Sequence, residues 1–330
     1  MGDPIAVIAG GVGAARFLLG LLDVVGVTDV TAVVNVGDDT ILHGLMISPD
    51  LDTVTYTLAG QVNPVTGWGL QGETWQAMGM VQRYAESAGI DSRDEIGNDA
   101  AGWFALGDLD LGTHMYRTSR LRAGIPLSTV TAEIARTWDL GLHLIPATDG
   151  NLSTRVTTQD GRELSFQEYF VREHHEVAVT SVEFIGAESC TPAPGVIDAI
   201  SSARCICIAP SNPVVSIDPI LAVPSIREAI EFARDRTVAI SPIVGGRAIK
   251  GPAERLLREL GHEPSVVGIA RYYAPLASTL VIDTVDAELA PQVEAEGMAC
   301  VVTDTIMSDP DVSAALARTC ISAVEGGLAR

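Results

Sequence analysis

The sequence predicts an α/β fold, a doubly wound and largely parallel sheet with a smaller second subdomain containing a β-hairpin. Three observations carry that prediction. Short runs of Val, Ile, Ala and Cys alternate with amphipathic stretches at helical spacing in both halves of the chain, the pattern of parallel strands joined by crossover helices. Most of the runs end in loops of Gly, Asn, Asp, Ser and Pro. Between residues 154 and 188 the apolar period shifts towards two, which marks a local antiparallel unit.

Taken in order, Ile5-Ala6-Val7-Ile8-Ala9 reads as a strand, Gly10-Gly11-Val12-Gly13 as a tight turn, and Ala14 onward as a helix with Phe17, Leu18 and Leu21 on one face. A second strand at 30–36 ends in Asn35-Val36-Gly37-Asp38-Asp39. Residues 73–87 and 127–138 read as amphipathic helices, the second introduced by Pro126 with Ser128 and Thr129 as candidate caps. The hairpin turns at Asp160-Gly161. Strands follow at 205–209, 238–240, 266–269, 280–282 and 300–302, separated by helices at 225–234, 252–260, 287–296 and 310–324. The domain organisation is therefore a doubly wound core of residues 1–150 and 191–330, with a helical insertion at about 60–140 and a β-hairpin subdomain at 151–190. In doubly wound sheets ligands sit at the carboxyl ends of strands. Candidate loops are thus Gly10 to Gly13, Asn35 to Asp39, Pro210 to Pro213, Ser241-Pro242, Arg271-Tyr272 and Asp304.

With 330 residues, 47% of them hydrophobic and only 19% charged, the chain is a folded protein and not a disordered tail. Its apolar runs stop short of the roughly 18 to 20 residues a membrane span needs. No basic segment precedes a cleavable apolar stretch, so the expected location is the cytoplasm. A net charge of −21 repels nucleic-acid backbones and anionic lipid. It still permits a small phosphorylated ligand, held by backbone amides, by arginines, or through a divalent cation bridging it to carboxylates. The single lysine, Lys250, reflects a compositional bias rather than mechanism. The five cysteines contain no CxxC pair and read as buried reduced thiols.

The glycine turn lets backbone N–H groups approach a phosphate at the positive end of the helix dipole. It is not a nicotinamide fingerprint. Gly11-Val12-Gly13-Ala14-Ala15-Arg16 lacks the third glycine, and the next strand ends in Asn35 where a ribose-binding acid is expected. A GK[ST] P-loop is absent as well. Asp38-Asp39 and Pro49-Asp50-Leu51-Asp52-Thr53 place four carboxylates within fifteen residues. Such crowding calls for a hard divalent cation, for which Mg²⁺ is the natural choice. If extended, Asp50 and Asp52 lie on one side of the chain, one facing the site and the other capping the helix after it. Asp110, His114 and Arg117 share a helix face and suit an anion or a substrate hydroxyl, although Arg117 pairing with Asp110 is the plainer reading. His174-His175 has no further ligand cluster. Pro210-Ser211-Asn212-Pro213 offers donors and acceptors on a rigid loop. Ser241-Pro242 reads equally well as ordinary turn chemistry. Trp68, Trp75 and Trp103 lie near the acidic loops, where a planar heteroaromatic ligand stacks; burial in the core is the commoner fate of Trp.

These motifs, in this order, are similar to those of the CofD/FbiA family. The resemblance rests on Ala9 to Leu18, Val34-Asn35-Val36-Gly37-Asp38-Asp39, Pro49 to Thr53, Gly67-Trp68-Gly69, Leu106-Gly107-Asp108, Thr113-His114, Ala209 to Pro213 and Ser241-Pro242-Ile243. It implies a Rossmann-like core, a smaller second domain, a commonly dimeric enzyme and Mg²⁺ dependence. The implied reaction moves a phospho-lactyl or phospho-enolpyruvyl group from a guanylyl-activated donor (lactyl- or enolpyruvyl-diphospho-guanosine) to the ribityl hydroxyl of the deazaflavin Fo (7,8-didemethyl-8-hydroxy-5-deazariboflavin). GMP is released and the product lies on the route to coenzyme F-420. The helical insertion is then the Fo-binding part. Carried over residue by residue, Gly10, Gly11, Val12, Gly13, Asn35, Ser211, Asn212 and Pro213 contact guanosine and phosphate, Asp38 and Asp52 ligate the metal with Asp50, next to the Fo hydroxyl, as alternative ligand or base, and Asp50, Asp52 and His114 are catalytic. Arg16 takes over the phosphate role of a lysine that many relatives carry at that point. The competing reading is an inactive nucleotide-binding homologue with a regulatory role.

Overall fold

The computed structural model describes residues 4–89, 104, 106–249 and 251–328. Trp103, Lys250 and most of the connection at 87–99 therefore lie outside the described residues. Seven strands form the central sheet: β1 (Ile5–Ala9), β2 (Val30–Val34), β3 (His143–Pro146), β4 (Cys205–Ile208), β5 (Thr237–Ile240), β6 (Thr279–Ile282) and β7 (Ala299–Val302). Their spatial order is β3-β2-β1-β4-β5-β6-β7, and every pairing is parallel. The chain leaves β1 towards one edge, through β2 and β3, and returns beside it at β4 to build the other half. The carboxyl ends of β1 and β4 are thus the switch point, where a crevice opens in folds of this kind. Every residue of β1, β4, β5 and β6 is buried, as strands covered by helices on both faces must be.

Helix α1 (Gly11–Leu22) leaves directly from β1 and packs on α2 (Pro49–Leu58) and on the helix at Pro310–Leu328. At Gly20 a side chain would run into the Ser313 carbonyl, so the two helices touch backbone to backbone. Between β2 and β3 lie α3 (Gln76–Ser87), α4 (Asp108–Arg122) and α5 (Leu127–Thr137). A separate antiparallel sheet places Ser153–Thr158 between Glu163–Ser165 and Val179–Ile185. The hairpin expected around Asp160-Gly161 thus gains a third strand. A π-helical turn at Glu168–Arg172 leads from that sheet back over the carboxyl end of the core.

Two local expectations are corrected. Residues 266–269 are the start of a helix, Val266–Tyr273, and not a strand. The Ser265 hydroxyl accepts from the Gly268 N–H at 3.1 Å as an N-cap, and Val266, Ile269, Ala270 and Tyr273 bury one face. A short apolar run does not by itself distinguish strand from helix. Arg271 and Tyr272 consequently leave the strand-end set: Arg271 pairs with Glu263 and Glu296, and Tyr272 donates to Asp218. Asp50 and Asp52 are likewise helical, in the first turn of α2, with Pro49 at its start.

Candidate functional site

A cavity of about 540 Å³ opens over the carboxyl ends of β1, β4 and β5. Its polar floor brings together Gly10, Gly11, Val12, Gly13, Arg16, Asp38, Asp50, Asp52, Asp110, His114, Ser211 and Asn212. Its walls are apolar, formed by Trp68, Phe104, Phe166, Phe170, Ile306 and Met307 among others.

The glycine turn is built by close approach. A Cβ on Gly13 would sit 2.4 Å from the Pro210 carbonyl oxygen, and one on Gly10 would sit 2.7 Å from Ser216 Cβ and 2.9 Å from Asp50 Oδ2. Gly11 adopts a φ of 68°, a conformation that side chains disfavour. Gly10 offers α1 no capping side chain and Asp50 accepts from the Gly11 N–H alone, so the cavity floor includes a helix N-terminus whose Val12 and Gly13 N–H groups no described side chain bonds. The Ser211 hydroxyl donates to the Gly10 carbonyl at 2.7 Å, tying the two loops together. Asn212 caps the next turn, accepting from the Val214 N–H at 3.0 Å. Pro213 is buried at the start of that turn and Asn35 is fully buried; neither lines the cavity. Asn35 instead donates to Asp50 Oδ2 at 3.0 Å and accepts from the Gly37 N–H at 2.8 Å. It holds a carboxylate in place from behind.

The acids divide into two groups because successive positions two apart on a helix diverge by about 200°. Asp50 faces the glycine turn, where Asn35 and the Gly11 N–H bond it. Burial nonetheless raises its pKa to about 6. Asp38 is pushed well above the usual carboxylate range by burial, then by the charges of Asp50 and Asp39, and its Oδ1 has no hydrogen-bond partner. Asp52 points the other way. Both its oxygens are held by Arg117, Oδ2 at 3.0 Å from Nη1 and Oδ1 by Nη2. The arginine partner is thus Asp52 and not Asp110.

Arg117 Nη1 also lies 3.3 Å from His114 Nδ1. An arginine only donates, so Nδ1 accepts and the ring proton sits on Nε2. That atom is buried without a partner, 3.7 Å from Asp110 Oδ1. Burial lowers the His114 pKa to about 4, keeping the ring neutral. Asp110 Oδ1 accepts from the Tyr56 hydroxyl at 2.6 Å, and burial, then the Asp52 charge, raise the Asp110 pKa to about 7.

Trp68 stands half exposed on the cavity wall, while Trp75 lies exposed outside it. Phe166 and Phe170 stack with centroids 5.4 Å apart on the opposite subdomain. Ser241 lines the cavity with its hydroxyl committed to its own turn, donating to the Ile243 carbonyl. His175 packs on Phe170. All five cysteines are free thiols, with Cys205 and Cys207 sulfurs 3.7 Å apart in the core. Sequence reasoning left out Tyr56, Phe166 and Phe170. Tyr56 is four residues beyond Asp52 and Phe170 four beyond Phe166, so the signal is legible once both segments are read as helical.

Magnesium, implied by the resemblance, fits the Asp38 and Asp50 carboxylates. They are hard oxygen donors, mutually repulsive, and one oxygen is buried without a partner. Among the described residues no cluster of three or more His, Cys, Asp or Glu forms an all-protein cage; Mg²⁺ ordinarily uses one or two carboxylates with phosphate oxygens and water. Asp52 offers no free oxygen while Arg117 holds both, so the geometry favours Asp50 over Asp52 beside Asp38.

A family model described as 2-phospho-L-lactate transferase CofD matches residues 5–320. The chain belongs to the CofD family. It is 42% identical over 325 residues to a phosphoenolpyruvate transferase of Streptomyces griseus subsp. griseus, covering 97% of this chain and 98% of that one. It is 38% identical over 328 residues to the phosphoenolpyruvate transferase of Mycolicibacterium smegmatis, covering 95% and 96%. A crystal structure of a UPF0052 family member from Bacillus halodurans superposes with a TM-score of 0.58 at 15% identity, over 99% of each chain, a likeness of fold alone. The family and these relatives identify a transferase. No helix among the described residues is long and apolar enough to cross a membrane.

Proposed function

We propose that this CofD-family protein transfers a phospho-linked three-carbon acid, phospho-enolpyruvyl by analogy with the named relatives, from a guanylyl-activated donor to the ribityl hydroxyl of Fo, releasing GMP on the route to coenzyme F-420. The observation that carries this reading is one cavity that joins a glycine-turn helix N-terminus and two buried carboxylates to an aromatic wall. A diphosphate and a flat deazaflavin need those two surfaces together.

In-line displacement at the phosphorus distal to guanosine asks the protein for charge neutralisation and a positioned nucleophile. Asp38 and Asp50 would hold Mg²⁺, which supplies charge neutralisation on the diphosphate. The N–H groups of Val12 and Gly13 direct the α1 dipole at the same anion. Arg16, exposed on the next turn and without a carboxylate partner among the described residues, reaches the donor from the cavity rim. Ser211 and Asn212 fix the guanosine side. Trp68, Phe166 and Phe170 provide faces for the deazaflavin, and Arg117 keeps Asp52 and His114 oriented.

Calorimetric titration with Fo and with GDP, each with and without Mg²⁺, tests the reading. Fo binding, together with GDP binding strengthened by the metal, supports it. Metal-dependent GDP binding without Fo binding would point to the nucleotide-binding homologue instead, and binding of neither would remove the site.

A further inference from the structure

Resting on the transfer reading above, we infer that Asp110, held by Tyr56 beside the neutral His114, is the proton acceptor for the attacking hydroxyl. Four carboxylates in or beside the cavity other than Asp110 compete for that role, and each is otherwise engaged. Asp52 has both oxygens on Arg117. Asp50 is bound by Asn35 and by the Gly11 N–H, next to the phosphate turn. Asp38 repels Asp50 at the same end of the cavity, and Asp39 accepts from the Ser48 hydroxyl and does not line the cavity. Asp38 also lines the cavity with an unbonded oxygen, Oδ1, but at the glycine-turn end beside Asp50; away from that end, Asp110 lines it with Oδ2, which no described residue bonds.

Asp110 is also held at the right end of the site. Tyr56 lies six residues along α2 from Asp50, about 9 Å by helical rise. The metal-side carboxylates and Asp110 therefore bracket a space in which a phosphoryl group and its acceptor hydroxyl fit between them. The Tyr56 hydroxyl, whose oxygen also lies 2.9 Å from Thr113 Oγ1, donates to Oδ1 and so leaves Oδ2 open to substrate. The buried His114 Nε2–H, unpartnered in the free protein, is a donor waiting for the same hydroxyl or for a non-bridging oxygen on the phosphorus it attacks.

The step balances without a further reagent. The acceptor O–H proton passes to Asp110 Oδ2 as the oxygen–phosphorus bond forms, and the bond from that phosphorus to the bridging oxygen breaks. GMP leaves with the electron pair, and Asp110 returns the proton to solvent. The groups facing Asp110 set its proton affinity from every side. Asp52 and Tyr56 come from α2, His114, Arg117 and Thr113 from its own helix, and Glu73 from the segment before α3. Burial and the negative neighbours Asp52 and Glu73 raise it, while Tyr56 and Arg117 lower it.

The test follows GMP release and Fo product for the wild-type chain, Asp110→Asn and Tyr56→Phe from about pH 5 to about pH 9, with Fo affinity from calorimetry. In the wild type, kcat rises with pH through an ionisation. Asp110→Asn lowers kcat by about 10²-fold or more, keeps Fo affinity and flattens that limb. Tyr56→Phe keeps the limb but moves it to higher pH, because the lost hydrogen bond had favoured the carboxylate. A wild-type rate in Asp110→Asn, an unchanged limb, or Fo affinity lost in step with kcat would overturn the assignment. Absence of transfer by the wild-type chain removes the transfer reading itself, and shows before any variant is made.

Discussion

Asp52 and Arg117 are both almost fully buried, and neither is tolerable there alone. Breaking such a pair from one side leaves an uncompensated charge and costs about 3–5 kcal/mol. Arg117→Leu should therefore lower the unfolding free energy measured by denaturant titration by an amount in that range, whereas Asp52→Asn combined with Arg117→Leu should recover much of the loss. If the double variant is no more stable than Arg117→Leu, the pair is not the unit described here. At the glycine turn, Gly11→Ala forces a side chain to φ 68°, a strain of about 1–2 kcal/mol. Gly13→Ala meets the rigid Pro210 carbonyl instead. It should weaken GDP binding as well as stability, because it pushes the two loops of the cavity floor apart. Equal GDP affinity in wild type and Gly13→Ala would count against a phosphate at this turn.

At the scale of elements, α3 and α4 cap each other. The Glu73 carboxylate accepts from the Leu109 and Asp110 N–H groups at the start of α4, both at 2.8 Å. Asp108 returns the service to α3, accepting from Gln76 and Ala77 at 3.0 Å. Gly107 leaves room for the Glu73 cap, since a Cβ there would meet the Glu73 carboxyl carbon at 2.1 Å and displace it. Leu106-Gly107-Asp108 was legible in the sequence as a motif, and its work is to fasten the Trp68-bearing segment to the helix of Asp110 and His114. Asp108→Ala should cost about 0.5–2 kcal/mol, the usual loss for a cap. It should also raise KM for Fo more than it lowers kcat; a change in kcat alone would contradict that role. Six of the seven central strands were legible because they are short apolar runs ending in polar loops; His143–Pro146 was not, because this edge strand has only four residues, two of them buried, with His and Pro at its ends. The Asp50 and Asp52 roles were not, because alternate positions share a side only in extended chain, and Pro49 starts a helix that turns the two apart. The Phe166 and Phe170 wall was hidden for a related reason: a π-helical turn interrupts a segment whose period is otherwise close to two.

For the whole molecule, the decisive feature is a strongly acidic chain, net charge −21, that has buried several of its acids at one place. Asp38 and Asp39 have pKa values raised well above the carboxylate range by burial, Asp50 is raised to about 6 and Asp110 to about 7. A carboxyl whose folded pKa exceeds its unfolded value binds more protons when folded. Its contribution is fully present below the unfolded pKa and is lost as pH rises through the folded one. His114, lowered to about 4, acts in the opposite sense between that value and its ordinary pKa, but it is one group against four. The metal-free protein should therefore lose stability as pH rises from about 5 to about 7. A divalent cation at Asp38 and Asp50 binds their ionised forms, so added Mg²⁺ should raise Tm more at pH 8 than at pH 5. Melting curves in chelator and in Mg²⁺ at the two pH values measure both effects. A metal-free Tm that climbs across this range would contradict the burial of these acids, and a Mg²⁺ shift independent of pH would move the cation away from Asp38 and Asp50.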